Sequence, residues 1–125
     1  MERIQLGKIS IIFLFIFCPA NAQLYRGAEL RTIDPLLYGK FEVCYKPAQG
    51  DGLVSSFFVY NDDFPNTDWV EVDIEILGRY PNIVDMNVIT NSSHLRTHFT
   101  TMNTHLDFQV YGFEWTPDYV AWFIN

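Results

Sequence analysis

The side chains best placed for chemistry are Trp69, Glu71, Asp73 and Glu75, in the run Trp69-Val70-Glu71-Val72-Asp73-Ile74-Glu75-Ile76-Leu77. Alternation at period two puts these four on one face of an extended strand. Val70, Val72, Ile74 and Ile76 fall on the other. The β-branched run argues against a helix, where Val and Ile lose side-chain freedom. Three carboxylates in a row repel one another, so the arrangement costs stability. A pair of carboxylates can cleave a glycosidic bond, one as nucleophile or base and the other as acid. A third between them can tune the pair, because coupled carboxylates titrate apart. A hard cation held by oxygen ligands is a second use of such a row, and a solvated acidic face is the plain alternative. Trp69 shifts the balance, since a large aromatic beside Glu71 suits stacking on a sugar ring better than open solvent.

A strand of this kind needs a sheet around it, and the rest of the chain supplies strand patterns. Residues 38–46, 53–60, 83–90, 94–101, 108–115 and 119–124 alternate or run apolar. They are separated by turn sequences such as Gly50-Asp51-Gly52, Asn91-Ser92-Ser93 and Thr116-Pro117-Asp118. Residues 53–60, apolar except for Ser55 and Ser56, predict a strand buried on both faces. In residues 25–32, Glu29 and Arg31 stand one strand step apart. No stretch reads as a helix, a repeat or a linker. Short strands at this spacing predict an all-β fold, an antiparallel β-sandwich.

The amino terminus reads differently. Arg3 and Lys8 precede a run over residues 9–17 that is apolar apart from Ser10, and Ala20 and Ala22 supply the small residues of a cleavage site. Residues 1–22 are expected to be a secretory signal peptide cut after Ala22. The run is too short to span a bilayer. The protein is therefore expected to be secreted, extracellular or periplasmic, with no membrane association once the signal is removed. The whole chain holds 15 acidic and 8 basic side chains. Without Glu2, Arg3 and Lys8, residues 23–125 hold 14 and 6, a net charge of −8. Nucleic acid is a poor partner for such a surface, whereas a neutral polymer is a natural one. Cys44 is the one cysteine left in residues 23–125, so no internal disulfide is expected there. Asn91-Ser92-Ser93 is also a glycosylation sequon.

Other chemistries find little support. His94 and His98 are four apart, which would suit metal binding from a helix, but no Cys or Glu stands nearby to complete a zinc set. They are expected to be solvated turn histidines, and no metal or cofactor is expected. No Gly-x-Ser-x-Gly elbow, phosphate loop or dinucleotide fingerprint occurs.

With the row goes a wider likeness. The run from Trp69 to Gly78 resembles the active-site strand of glycoside hydrolase family 16 in its Glu-x-Asp-x-Glu form. That form occurs in lichenases (endo-β-1,3-1,4-glucanases) and xyloglucan transglycosylases. Gly27-Ala28-Glu29-Leu30-Arg31-Thr32, Tyr38-Gly39-Lys40-Phe41-Glu42-Val43, residues 46–58 and residues 111–122 resemble neighbouring family segments. The resemblance implies a jelly roll whose concave sheet forms a glucan groove. It also implies a retaining glycosidase with Glu71 as nucleophile, Glu75 as general acid/base and Asp73 as helper. Trp69, Glu29, Arg31 and Asn87 would bind β-glucan, and the protein would be a monomer. Residues 23–125 would be a partial catalytic domain, incomplete at both ends, since such sandwiches often run to roughly 200–250 residues. Besides this incompleteness two departures stand out: Cys44 where the family often has Arg, and Val88 and Ile89 where lichenases carry aromatics. A catalytically impaired fragment, a glucan-binding jelly-roll module and a xyloglucan-type transglycosylase are the alternatives. One geometric demand is plain from the strand. The Cα atoms of Glu71 and Glu75 lie about 13 Å apart, while retention wants carboxyl groups about 5–5.5 Å apart.

Overall fold

The computed structural model describes residues 26–101 and 103–125. The expected signal peptide lies outside the described residues. The chain divides into two units, Met1–Ile33 and Asp34–Asn125. In the first, residues 26–33 form no strand, so the spacing of Glu29 and Arg31 does not mark a strand face. Among its described residues the second unit holds seven strands: β1 (Gly39–Tyr45), β2 (Val54–Tyr60), β3 (Val70–Leu77), β4 (Ile83–Thr90), β5 (His94–Thr100), β6 (Gln109–Trp115) and β7 (Val120–Ile124).

They form two antiparallel sheets, one in the order β1-β6-β7 and one in the order β2-β3-β4-β5. The two pack face to face as a sandwich. Val72, Ile74, Ile76 and Val84 from the four-stranded sheet meet Tyr111 and Phe113 from the other, all essentially inaccessible. Burying an aliphatic side chain of this size stabilises the fold by about 1.5–3 kcal/mol, so the apolar half of β3 anchors the acidic half. Aromatic rings fill the space between the sheets. Phe113 packs on Phe41 and Phe57 at centroid distances of 5.4 and 5.3 Å, and Tyr45 on Tyr111 at 4.7 Å.

Two glycines permit close approaches of backbone to neighbour. A Cβ on Gly78 would fall 2.5 Å from the carbonyl oxygen of Gly50, where the turn after β1 folds over the end of β3. That turn is held by Gly50 N–H to the Gly78 carbonyl at 3.0 Å and Gly78 N–H to the Leu53 carbonyl at 2.8 Å. On the outer side of the other sheet the Phe123 ring lies across Gly112, leaving no room for a side chain there.

β2 corrects the expectation of a strand buried on both faces. It is an edge strand, and none of its residues is fully buried. Phe57 and Val59 pack toward the core, while Ser56, Phe58 and Tyr60 pair with Glu75, Asp73 and Glu71 on the opposite face. β5, at the other edge, is exposed along its whole length. Its inward residues Leu95 and Phe99 pair with Val88 and Val84. They remain 62% and 52% exposed, and Phe99 lines an open hollow with Met86 of β4 and Trp122 and Ile124 of β7. Among the described residues no helix is long and apolar enough to cross a membrane.

Candidate active site

β3 runs through the middle of its sheet, and the pleat sends Glu71, Asp73 and Glu75 to the face away from the core. Register then brings the neighbours. On one side Tyr60, Phe58 and Ser56 of β2 stand opposite Glu71, Asp73 and Glu75. On the other, Ile89, Asn87 and Asp85 of β4 do the same. One strand further out, His94, Arg96 and His98 of β5 pair with Ile89, Asn87 and Asp85. The result is a polar strip four strands wide with the carboxylate row near its centre.

Asp73 is only 3% exposed and Asn87 2%. The Asn87 amide donates from Nδ2 to Asp73 Oδ1 at 2.6 Å and to Glu75 Oε2 at 3.5 Å. Asn87 thus bridges two of the three carboxylates. From the far side His94 Nε2 lies 3.2 Å from Asn87 Oδ1. At the end of the strip Arg96 Nη2 pairs with Asp85 Oδ2 at 2.7 Å. That pairing removes a bare charge directly across from Glu75.

Trp69 stands just before β3, on the row's face. Its indole N–H donates to Glu71 Oε2 at 3.3 Å. The ring stacks on Tyr60 at 5.3 Å and meets the edge of Phe64 at 5.9 Å. Its backbone N–H donates to Asn91 Oδ1 at 3.0 Å, and Asn91 Nδ2 donates to Asp68 Oδ1 at 2.7 Å. The indole is therefore held from both sequence directions before any substrate arrives. From behind the sheet, the Trp122 indole N–H of β7 donates to the Asp73 backbone carbonyl at 3.1 Å. The central carboxylate is in this way tied to the opposite sheet.

The electrostatics follow from burial. Asp73 is pushed up from 3.8 to about 6, chiefly by desolvation. The Asn87 hydrogen bond opposes that rise, and the charges of Glu75 and Glu71 add to it. Glu71 is also raised, again mainly by desolvation, with the Trp69 N–H pulling the other way. Near pH 6 the row can hold a proton on its middle member, as coupled carboxylates do.

Of the residues singled out by sequence, Trp69, Glu71, Asp73, Glu75 and Asn87 come together. Glu29 and Arg31 pair with each other in the first unit, and both are exposed. Of the two residues that replace family aromatics, only Ile89 shares the carboxylate face. Val88 packs toward the core. Cys44 is exposed on β1. His94 and His98 are exposed as expected, but they belong to a strand and not to a turn, and His94 reaches the site through Asn87. Sequence reasoning also missed Tyr60, Asp85 and Arg96. Their signal was the period-two spacing Asp85/Asn87 and His94/Arg96/His98, which has meaning only once strand register aligns it with the row. Among the described residues no cluster of His, Cys, Asp and Glu is arranged to hold a metal ion.

Comparison with known proteins agrees with this fold. The profile of Glycosyl hydrolases family 16 matches residues 7–125. A Beta-glucanase of Fibrobacter succinogenes is 39% identical over 113 residues, covering 84% of this chain and 32% of that protein. The crystal structure of a prokaryotic β-1,3-1,4-glucanase (lichenase) from a mouse hindgut metagenome superposes with a TM-score of 0.69 at 40% identity. It covers 75% of this chain and 45% of its own. A Crh5 transglycosylase in complex with NAG superposes with a TM-score of 0.59 at 33% identity, covering 70% of this chain and 36% of its own. The chain thus spans about a third to a half of the length of these relatives. The sandwich is of the jelly-roll type they share.

Proposed function

The chain belongs to Glycosyl hydrolases family 16, and on that premise we propose that it cleaves β-glucan, of the mixed β-1,3-1,4 type, with retention at the anomeric carbon. The observation that carries this reading is the row itself. Three carboxylates share one sheet face, with an indole at its head and an amide bridging the last two. Glu71 attacks the anomeric carbon as the glycosidic C–O bond breaks, and Glu75 gives its proton to the departing oxygen. Water then attacks the glycosyl ester, Glu75 takes the water's proton, and Glu71 leaves as a carboxylate. Asp73, buried between them and readily protonated, limits the charge of the row so that Glu71 and Glu75 are not both opposed by a third anion. Trp69 supplies the apolar platform for a sugar ring. Glu29 and Arg31 remain candidates for substrate contact by family resemblance. In this reading residues 1–22 direct secretion and the secreted protein is a monomer that binds the polysaccharide alone. Amino-terminal sequencing of the exported protein should begin at Gln23.

The test is chemical rescue. Glu71→Gln should abolish turnover. Glu75→Ala should still form the covalent intermediate from an activated aryl glycoside. Azide should then release a β-glycosyl azide with retained configuration, because azide needs no general base. An α-configured azide would refute the double displacement and with it the two assignments. The likeness to a transglycosylase gives a second reading, in which a sugar hydroxyl replaces water in the second step. Transfer products outnumbering reducing ends on a mixture of glucan and oligosaccharide acceptor would favour it.

A further inference from the structure

The hydrogen bonds around Asn87 raise a question of orientation. An asparagine amide can present either its NH₂ or its carbonyl to a given neighbour. With NH₂ toward Asp73 and Glu75, it meets two acceptors at 2.6 and 3.5 Å. Turned over, its carbonyl would oppose those oxygens while they are ionised. Once Asp73 binds a proton, however, the turned-over amide becomes acceptable, because the Asp73 hydroxyl could donate to it. Asp73 is raised to about 6, so that situation arises within a working pH range.

Something else must then hold the amide, and among the described residues the group that meets Asn87 Oδ1 is His94 Nε2, at 3.2 Å. A carbonyl oxygen only accepts, so Nε2 must carry a proton. It does so both in the imidazolium and in the neutral Nε2–H tautomer. The contact therefore works in either charge state of the ring. On the same face the charged groups are His94 and Arg96 on β5, Asp85 on β4, and Glu71 and Glu75 beside Asp73 on β3, and the charge of His94 itself favours the ionised Asp73.

We propose that His94 is a positioning residue for the carboxylate row: it donates from Nε2 to Asn87 Oδ1 and keeps the Asn87 NH₂ turned onto Asp73 and Glu75. This inference rests on the reading of that row as the reacting one. The lock prevents the amide from flipping when Asp73 is protonated, so Glu75 keeps its amide contact through the proton movements of a cycle. His94 sits at the exposed start of an edge strand, so replacing it leaves the core untouched.

The test is nuclear magnetic resonance on the full chain, following the Asp73 carboxyl titration and the Asn87 side-chain NH₂ signals. His94→Ala should raise the Asp73 midpoint by about one pH unit, since the carboxylate loses a fixed donor. It should also speed solvent exchange of the Asn87 NH₂. His94→Gln keeps a donor at nearly the position of Nε2 without a charge, and should restore the NH₂ exchange and most of the Asp73 midpoint, the remainder being the lost ring charge. An unmoved Asp73 midpoint in His94→Ala would overturn the proposal. So would a His94→Gln variant shifted as far as His94→Ala, which would mean that His94 acts through its charge alone. The titrations need no turnover. A chain inactive on glucan would refute the hydrolase reading and leave this measurement standing, while failure here would leave the hydrolase reading intact.

Discussion

Replacing Asp73 with Asn should make the fold more stable while impairing the site. Asp73 is 3% exposed, and its carboxyl is pushed up from 3.8 to about 6. A carboxyl group raised in the folded state binds its proton more tightly there than in the unfolded chain. The folded state therefore loses stability as pH rises from the unfolded value of 3.8, and the loss is complete once pH passes about 6. The interval corresponds to about 3 kcal/mol at 1.36 kcal/mol per pH unit, an upper value because the site relaxes around a charge. Asn at this position is neutral and nearly the same shape. Its carbonyl can still accept from Asn87, and its NH₂ can donate to the flanking carboxylates. Urea unfolding of both proteins between pH 3.5 and 8 is the assay. Asp73→Asn should match the wild type near pH 3.5–4 and exceed it by about 1.5–3 kcal/mol above pH 7. A variant equally stable at every pH, or less stable above pH 7, would refute the claim that the buried Asp73 charge strains the fold.

Trp69→Ala should weaken glucan binding by about tenfold or more, because an aromatic contact of this size carries much of a binding surface. Its melting temperature should fall only modestly, and calorimetric titration with glucan oligosaccharides alongside thermal melts would check both. Ile74→Ala removes a fully buried side chain from the centre of the sandwich and should cost about 2–5 kcal/mol in urea unfolding. Trp122→Phe keeps an aromatic, though smaller, ring and deletes the N–H that reaches the Asp73 carbonyl. It should cost about 1–2 kcal/mol, and hydrogen exchange should rise in β3 more than in β1.

The carboxylate row was legible in the sequence because a strand writes its two faces locally. Glu71, Asp73 and Glu75 share one face, and Val72, Ile74 and Ile76 the other, whatever the strand pairs with. The same local code placed β4 at its observed limits, Ile83–Thr90, and the remaining strands to within a residue or two. It also marked the all-β class, since no segment carries helical periodicity. Where local pattern misled, burial depended on neighbours. Residues 54–60 are apolar enough for a central strand, yet β2 is an edge strand and its Phe58 and Tyr60 lie on the carboxylate face.

What tertiary structure alone decided is who stands beside the row. Asn87 meets Asp73 across 14 residues of chain, Arg96 meets Asp85 across 11, and Trp122 reaches the Asp73 carbonyl across 49. Such pairs are set by antiparallel register and by the stacking of one sheet on the other. Register depends on turn lengths and on which face each strand buries. His94 is the clearest case. In sequence it is one polar residue after a Ser-Ser turn, and its spacing to His98 points only to a metal pair that nothing nearby completes. Register with Ile89 sets it diagonally next to Asn87, and the amide then links it to two carboxylates that no spacing in the chain connects to it.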